Sequence, residues 1–159
     1  MFFKGKGYFM NVYLDKKQIN DINEFKELIE CKENVKIKNY GKNNKFDFTP
    51  IDSIGSPATN KEARPAIVFE IDNDNRIFIL RWLYLKYPQK GTGTLIFSWI
   101  KQYCEKYKFK SFEVKSVEND KIVMSKLCRI MGMKVYSKSY DEEGNEYYNY
   151  KYEFDFNNK

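Results

Sequence analysis

A chain of 159 residues with 42% hydrophobic and 31% charged side chains suits one packed domain and is too apolar for a disordered one. Its 28 basic and 22 acidic residues leave a formal charge of +6, which admits an anionic cofactor, a nucleic acid or an acidic surface as partner. The absence of histidine excludes histidine triads, histidine general bases and histidine metal ligands, and the scattered Cys31, Cys104 and Cys128 make neither a zinc site nor a disulfide framework.

Aromatic residues make up 18% of the chain and favour strands, so a sheet-rich domain is expected. No stretch approaches the roughly 20 apolar residues of a membrane span, and Met1 to Gly7 lack the apolar core of a secretory leader. The expectation is a soluble cytoplasmic protein with neither membrane nor metal partner.

In chain order, Tyr8 to Leu14 reads as a strand. Ile22, Phe25, Leu28 and Ile29 recur at helical spacing, with Asn20 or Asp21 as the cap. Val35 to Asn39 and Phe46 to Thr49 alternate around Gly41-Lys42-Asn43-Asn44 and read as a strand pair. Pro50 to Pro65 reads as a loop, and Ala66 to Ile71 as a strand ending in the turn Asp72 to Asn75. Arg76 to Lys86 is apolar at nearly every position, which predicts a strand buried on both faces.

A glycine-bearing turn follows, then a helix with Leu95, Ile96, Trp99, Ile100, Tyr103, Cys104 and Tyr107 on its apolar face. Phe112 to Val117 reads as a strand, and Ile122 to Met131 as a helix stopped by Gly132. Val135 to Tyr140 and Tyr147 to Phe156 read as a terminal strand pair, with Tyr148, Tyr150, Tyr152 and Phe154 on one face. Interleaved helices and strands predict an α/β (α+β) domain: a mixed, mostly antiparallel sheet flanked by helices.

The turn Gln89-Lys90-Gly91-Thr92-Gly93-Thr94 lies between a buried strand and a helix. A helix N-terminus there exposes unpaired N–H groups and a partial positive charge, which suits phosphate. Gly91 and Gly93 let the backbone approach a ligand, Thr92 and Thr94 offer hydroxyls, and Gln89 and Lys90 form a polar rim. A GxG turn also serves simply to reverse the chain. GxxxxGK[ST] is absent, and Ile96 stands where a dinucleotide fingerprint has glycine. Seven basic residues lie between Arg81 and Lys110, against Glu105 alone.

Strand, [RQ]-x-x-G-x-[GA]-like turn, long helix, strand, second helix ending at Gly132-Met133 and a terminal strand pair together resemble the GNAT superfamily of N-acetyltransferases. The resemblance covers Ala66 to Phe156. It implies one domain over residues 1–159, with an acyl-CoA N-acyltransferase core at 66–156 and a divergent part at 1–65. Pro88 occupies the family's Arg or Gln position, with Gln89 one place late. Cys128 stands where the family often has a tyrosine that protonates the departing thiolate.

The resemblance implies acetyl transfer from acetyl-coenzyme A to a small-molecule or macromolecular amine, a charged tRNA among them. It implies that Leu83, Tyr84 and Leu85 line the pantetheine arm, that the 89–94 turn holds the pyrophosphate, and that Asn119 opens the second helix at the coenzyme. Glu70 is the candidate general base, or else a carboxylate at a hairpin end. Cys128 is the candidate acid, or else a buried helix residue. Two other functions remain open: a non-catalytic coenzyme-A-binding protein of the same fold, and a basic nucleic-acid-binding module. Acidic Glu142, Glu143, Glu146, Glu153 and Asp155 count against the latter at the C-terminal end. The tyrosine-rich last strand is a candidate sheet edge for pairing with a second copy, as a homodimer.

Overall fold

The computed structural model describes residues 14–52, 55, 65–85, 91–118 and 122–156. The predicted strand at Tyr8 to Leu14, and the predicted site residues Gln89, Lys90 and Asn119, lie outside them except for Leu14.

Helix α1 (Lys16–Glu33) starts one turn earlier than its apolar spacing suggests. Its cap is Asp15, neither Asn20 nor Asp21: the Asp15 carboxylate accepts the Gln18 N–H at 2.8 Å, and Gln18 Oε1 accepts the Asp15 N–H at 3.0 Å. This reciprocal pair satisfies two amide donors at the helix start. Asp21 instead accepts Lys106 Nζ at 2.7 Å and the Tyr107 hydroxyl.

Strands β1 (Lys36–Asn39) and β2 (Lys45–Ile51) form the expected antiparallel pair, but β2 continues through Pro50. Asp47 accepts the Tyr40 N–H across the β1 side, so even-numbered residues of β2 direct their backbone groups toward β3. Pairing with β3 ends at Phe48. Pro50 therefore points its missing N–H where the ladder has already stopped.

Next come β3 (Pro65–Asp72), β4 (Ile77–Leu85), α2 (Thr92–Lys106), β5 (Ser111–Glu118), α3 (Ile122–Ile130), β6 (Lys134–Tyr140) and β7 (Glu146–Glu153). The sheet order is β1-β2-β3-β4-β5-β7-β6, with β4 and β5 parallel and every other neighbour antiparallel. A parallel pair needs a crossover, which α2 supplies. The tyrosine-rich β7 is not an edge: it lies between β5 and β6, and β6 is the edge strand, exposed along its length.

One core cluster joins the helices to the sheet. Phe25 of α1 stacks on Trp99 of α2, centroids 4.0 Å apart, and packs edge-on against Phe69 of β3 at 5.8 Å. Phe78 and Leu80 of β4, Phe112 and Val114 of β5, and Tyr150 of β7 complete its floor. The prediction that β4 is buried on both faces fails for its second half, where Arg81, Trp82 and Tyr84 are exposed.

Candidate active site

The exposure of β4 follows from one inserted residue. Val68 pairs with Trp82 while Phe69 pairs with Leu80, so Arg81 has no opposite number on β3. Such a bulge bends its strand and raises the local twist. On the other side of β4, Ile77 to Leu80 pair in parallel with Ser111 to Val114, and pairing ends there. β4 runs on to Leu85 and β5 to Glu118 without further rungs between them. Two adjacent strands thus part at the middle of the sheet and leave an opening lined by backbone from 81 to 85.

β5 has its own irregularity at the same level. Its register with β7 shifts between Val114 and Val117, Ser116 adopts φ 57°, and the Ser116 N–H is donated to Asn149 Oδ1 at 2.8 Å. Leu83 and Leu85 pack partly against the core, whereas Tyr84 is exposed.

The opening of β4 leads to the N-terminus of α2. Gly91 is the cap residue, at φ 84°, a conformation that L side chains rarely adopt. Among the described residues no side chain caps this terminus, and the first turn of α2 has no acidic residue. Its leading N–H groups therefore keep their capacity to receive an anion. A Cβ on Gly91 would meet no described residue within 4 Å. These features fit a pyrophosphate-bearing cofactor of the coenzyme A type.

Gly93 has a different reason to be glycine. A Cβ there would come within 3.0 Å of Leu127 Cδ2 and 3.7 Å of Leu85 Cδ1. It lets α2 close on α3 and on the end of β4. Thr92 is fully buried, and its hydroxyl is donated to Glu33 Oε2 at the end of α1, so its side chain does not rim the turn. Thr94 is exposed and free to face a ligand.

The two proposed catalytic side chains are separated. Cys128 is fully buried in the core cluster, and desolvation pushes its thiol up to about 12. Burial of this depth keeps the sulfur out of the opening and leaves a poor proton donor. Glu70 lies on the sheet face away from the core and accepts Arg81 Nη2 at 3.3 Å. The bulged arginine thus turns back on a carboxylate of the neighbouring strand.

A second polar cluster, none of it among the predicted site residues, lies on β5. Glu113, paired with Ile79 one rung before the strands part, is largely buried. Lys115 Nζ lies 3.0 Å from it, and the Tyr136 hydroxyl donates to it at 2.9 Å while accepting from Lys115. Burial, then the bond to Glu113, raise the Tyr136 phenol, partly offset by Lys115, so it stays protonated. The alternation Phe112, Glu113, Val114, Lys115 carried the signal, because a polar residue at every second position marks a sheet's second face.

No protein-family model matches the chain, and no curated protein matches it in sequence. Among solved structures, 82 chains match. Nourseothricin acetyltransferase superposes with a TM-score of 0.51 at 14% identity, over 69% of this chain and 65% of that one, so the chain spans just under two thirds of that protein's length. A GNAT-family acetyltransferase from Streptococcus pneumoniae gives 0.50 at 14% identity, over 72% and 70% of the two chains. A variant of spermidine N-acetyltransferase from Vibrio cholerae gives 0.50 at 13% identity, over 82% and 74%. The chain has the acyl-CoA N-acyltransferase fold of these GNAT proteins.

Proposed function

From this fold, we propose that the chain is an N-acetyltransferase that takes the acetyl group of acetyl-coenzyme A and transfers it to a primary amine. The observation that carries the proposal is the parting of β4 from β5 after the Leu80–Val114 rung, leading to the uncapped, glycine-turned N-terminus of α2. The bound coenzyme would supply the thioester whose acyl carbon the amine attacks. Backbone at Leu83, Tyr84 and Leu85 would bind the pantetheine arm and orient the carbonyl toward an N–H donor. The N–H groups of Gly91, Thr92, Gly93 and Thr94 would hold the pyrophosphate, with Gln89 and Lys90 beside them in the chain and Asn119 preceding α3 in the sequence.

The amine must lose a proton, and in a chain without histidine a carboxylate or a water chain would receive it. Glu70 is the proposed base, on the open face of the sheet beside Arg81. Glu113, one rung before the strands part, is a second candidate, with the Tyr136 hydroxyl donating to it. An amine acceptor agrees with the similar structure named for spermidine.

A second function of the same site is supported by the burial of Cys128: coenzyme binding without transfer. Incubation with acetyl-coenzyme A and a panel of primary amines, with released thiol followed by a chromogenic disulfide, separates the two. Amine-dependent thiol release that is lost in Gly91→Glu is expected. Coenzyme binding with no release above the protein-free rate for any amine would favour the non-catalytic function.

A further inference from the structure

Glu33 is the last residue of α1 and is 6% exposed. Its Oε2 accepts the hydroxyl of Thr92, the first residue of α2, across 59 positions of sequence. Its Oε1 is the one fully buried side-chain nitrogen or oxygen among the described residues without a hydrogen-bond partner. A buried carboxylate with one oxygen unsatisfied is costly, and native proteins keep few of them. The nearest acid on α1, Glu30, is already engaged by the Ile37 N–H at 2.7 Å and by Lys26 at 3.8 Å. The first turn of α2 carries no acid of its own. Glu33 therefore places a carboxylate, supplied by another element, at the positive end of the helix proposed to receive the coenzyme's phosphates.

Resting on the coenzyme-binding function proposed above, we infer that Glu33 is a positioning residue with two opposed effects on that site. Through Thr92 it latches the first turn of α2 to α1, which holds the backbone N–H groups in place. Through its charge it competes with the phosphates for the same helix end, because a carboxylate there already satisfies part of the dipole. The result is a phosphate grip that is ordered but deliberately moderate, so that free coenzyme leaves after transfer.

Glu33→Gln keeps an acceptor for the Thr92 hydroxyl and removes the charge. Thr92→Val keeps the charge and removes the latch. Calorimetric titration with coenzyme A should show tightening of about five-fold in Glu33→Gln, the equivalent of an end-of-helix charge. Thr92→Val should weaken binding. Pantetheine, which lacks the phosphates, should bind wild type and Glu33→Gln equally. A purely structural role would weaken coenzyme binding in both variants. Should Glu33→Gln melt too early to titrate, the double variant Glu33→Val/Thr92→Val removes both polar partners together and should still bind coenzyme A more tightly than Thr92→Val alone. Unchanged or weaker coenzyme binding in Glu33→Gln overturns the inference while leaving the proposed function standing. Absence of coenzyme binding by the wild type overturns both.

Discussion

Gly93 at the start of α2 and Leu127 on α3 approach so closely that a Cβ on the glycine would lie 3.0 Å from Leu127 Cδ2. The helix that opens the proposed phosphate turn is thus seated on the helix that follows β5. In Gly93→Ala the flexible Leu127 side chain must move by a few tenths of an ångström. The overpacking is opposed by the backbone entropy that alanine saves, so we expect stability to change by less than about 1 kcal/mol, with weaker coenzyme binding because the first turn is displaced. Thermal melts and titration of Gly93→Ala alone and with Leu127→Ala measure this, and the second substitution should restore much of the affinity.

Cys128 is fully buried with its thiol raised to about 12, whereas Cys31 is exposed. Cys104 is buried and its thiol is also pushed far above the ordinary value by desolvation. Alkylation of the native protein at neutral pH should therefore label Cys31 alone, read by peptide mass. Cys128→Ala should destabilise the fold by about 1–2 kcal/mol through the void it leaves, yet keep turnover within a few-fold. Turnover abolished in a folded Cys128→Ala would restore the thiol to the mechanism.

Glu70 and Glu113 are the two carboxylates proposed as the base. With amine-dependent thiol release as the readout, Glu70→Gln should lower kcat by about 100-fold and raise the KM for the amine little. Glu113→Gln leaves Lys115 without its closest anion and should act mainly through stability. A kcat loss confined to Glu113→Gln would move the proton acceptor from β3 to β5.

Asp21 ties α1 to the end of α2. Burial raises its carboxyl, but hydrogen bonds from Lys106 and Tyr107 and the Lys106 charge outweigh that and leave it below the ordinary value. A depressed folded pKa contributes stability that is present above the unfolded value and is lost as pH falls through the folded one. Asp21→Asn should therefore cost about 1 kcal/mol near neutral pH, with the difference from wild type shrinking below roughly pH 4. Denaturant melts across that range check the sign.

The order of elements was legible because each carries a strong local pattern. Ile96, Ile100, Tyr103 and Cys104 follow helical spacing, and they are buried together on α2. The start of α1 departs from its apolar spacing because Asp15 and Gln18 form a cap through side chains that precede the apolar run, while Asp21, a good capping type, serves a distant lysine. The Arg81 bulge leaves no signature in a strand whose residues are nearly all apolar, so the exposure of Trp82 and Tyr84 was hidden. Local periodicity cannot reach pairs such as Thr92 with Glu33 or Tyr136 with Glu113, which depend on tertiary closure. The glycine-bearing turn before α2 was legible in the sequence, but the separate duties of its glycines were not. Gly91 answers to a positive φ, and Gly93 to Leu127.

Calorimetric titration of acetyl-coenzyme A into the wild type and Gly91→Glu tests the central claim most directly. The substitution sets a carboxylate beside the N-terminus of α2, at φ 84°. Micromolar binding by the wild type, lost in a Gly91→Glu protein that still melts cooperatively, is the predicted result. No binding by the wild type, or equal binding by the folded variant, would contradict a coenzyme site at this turn.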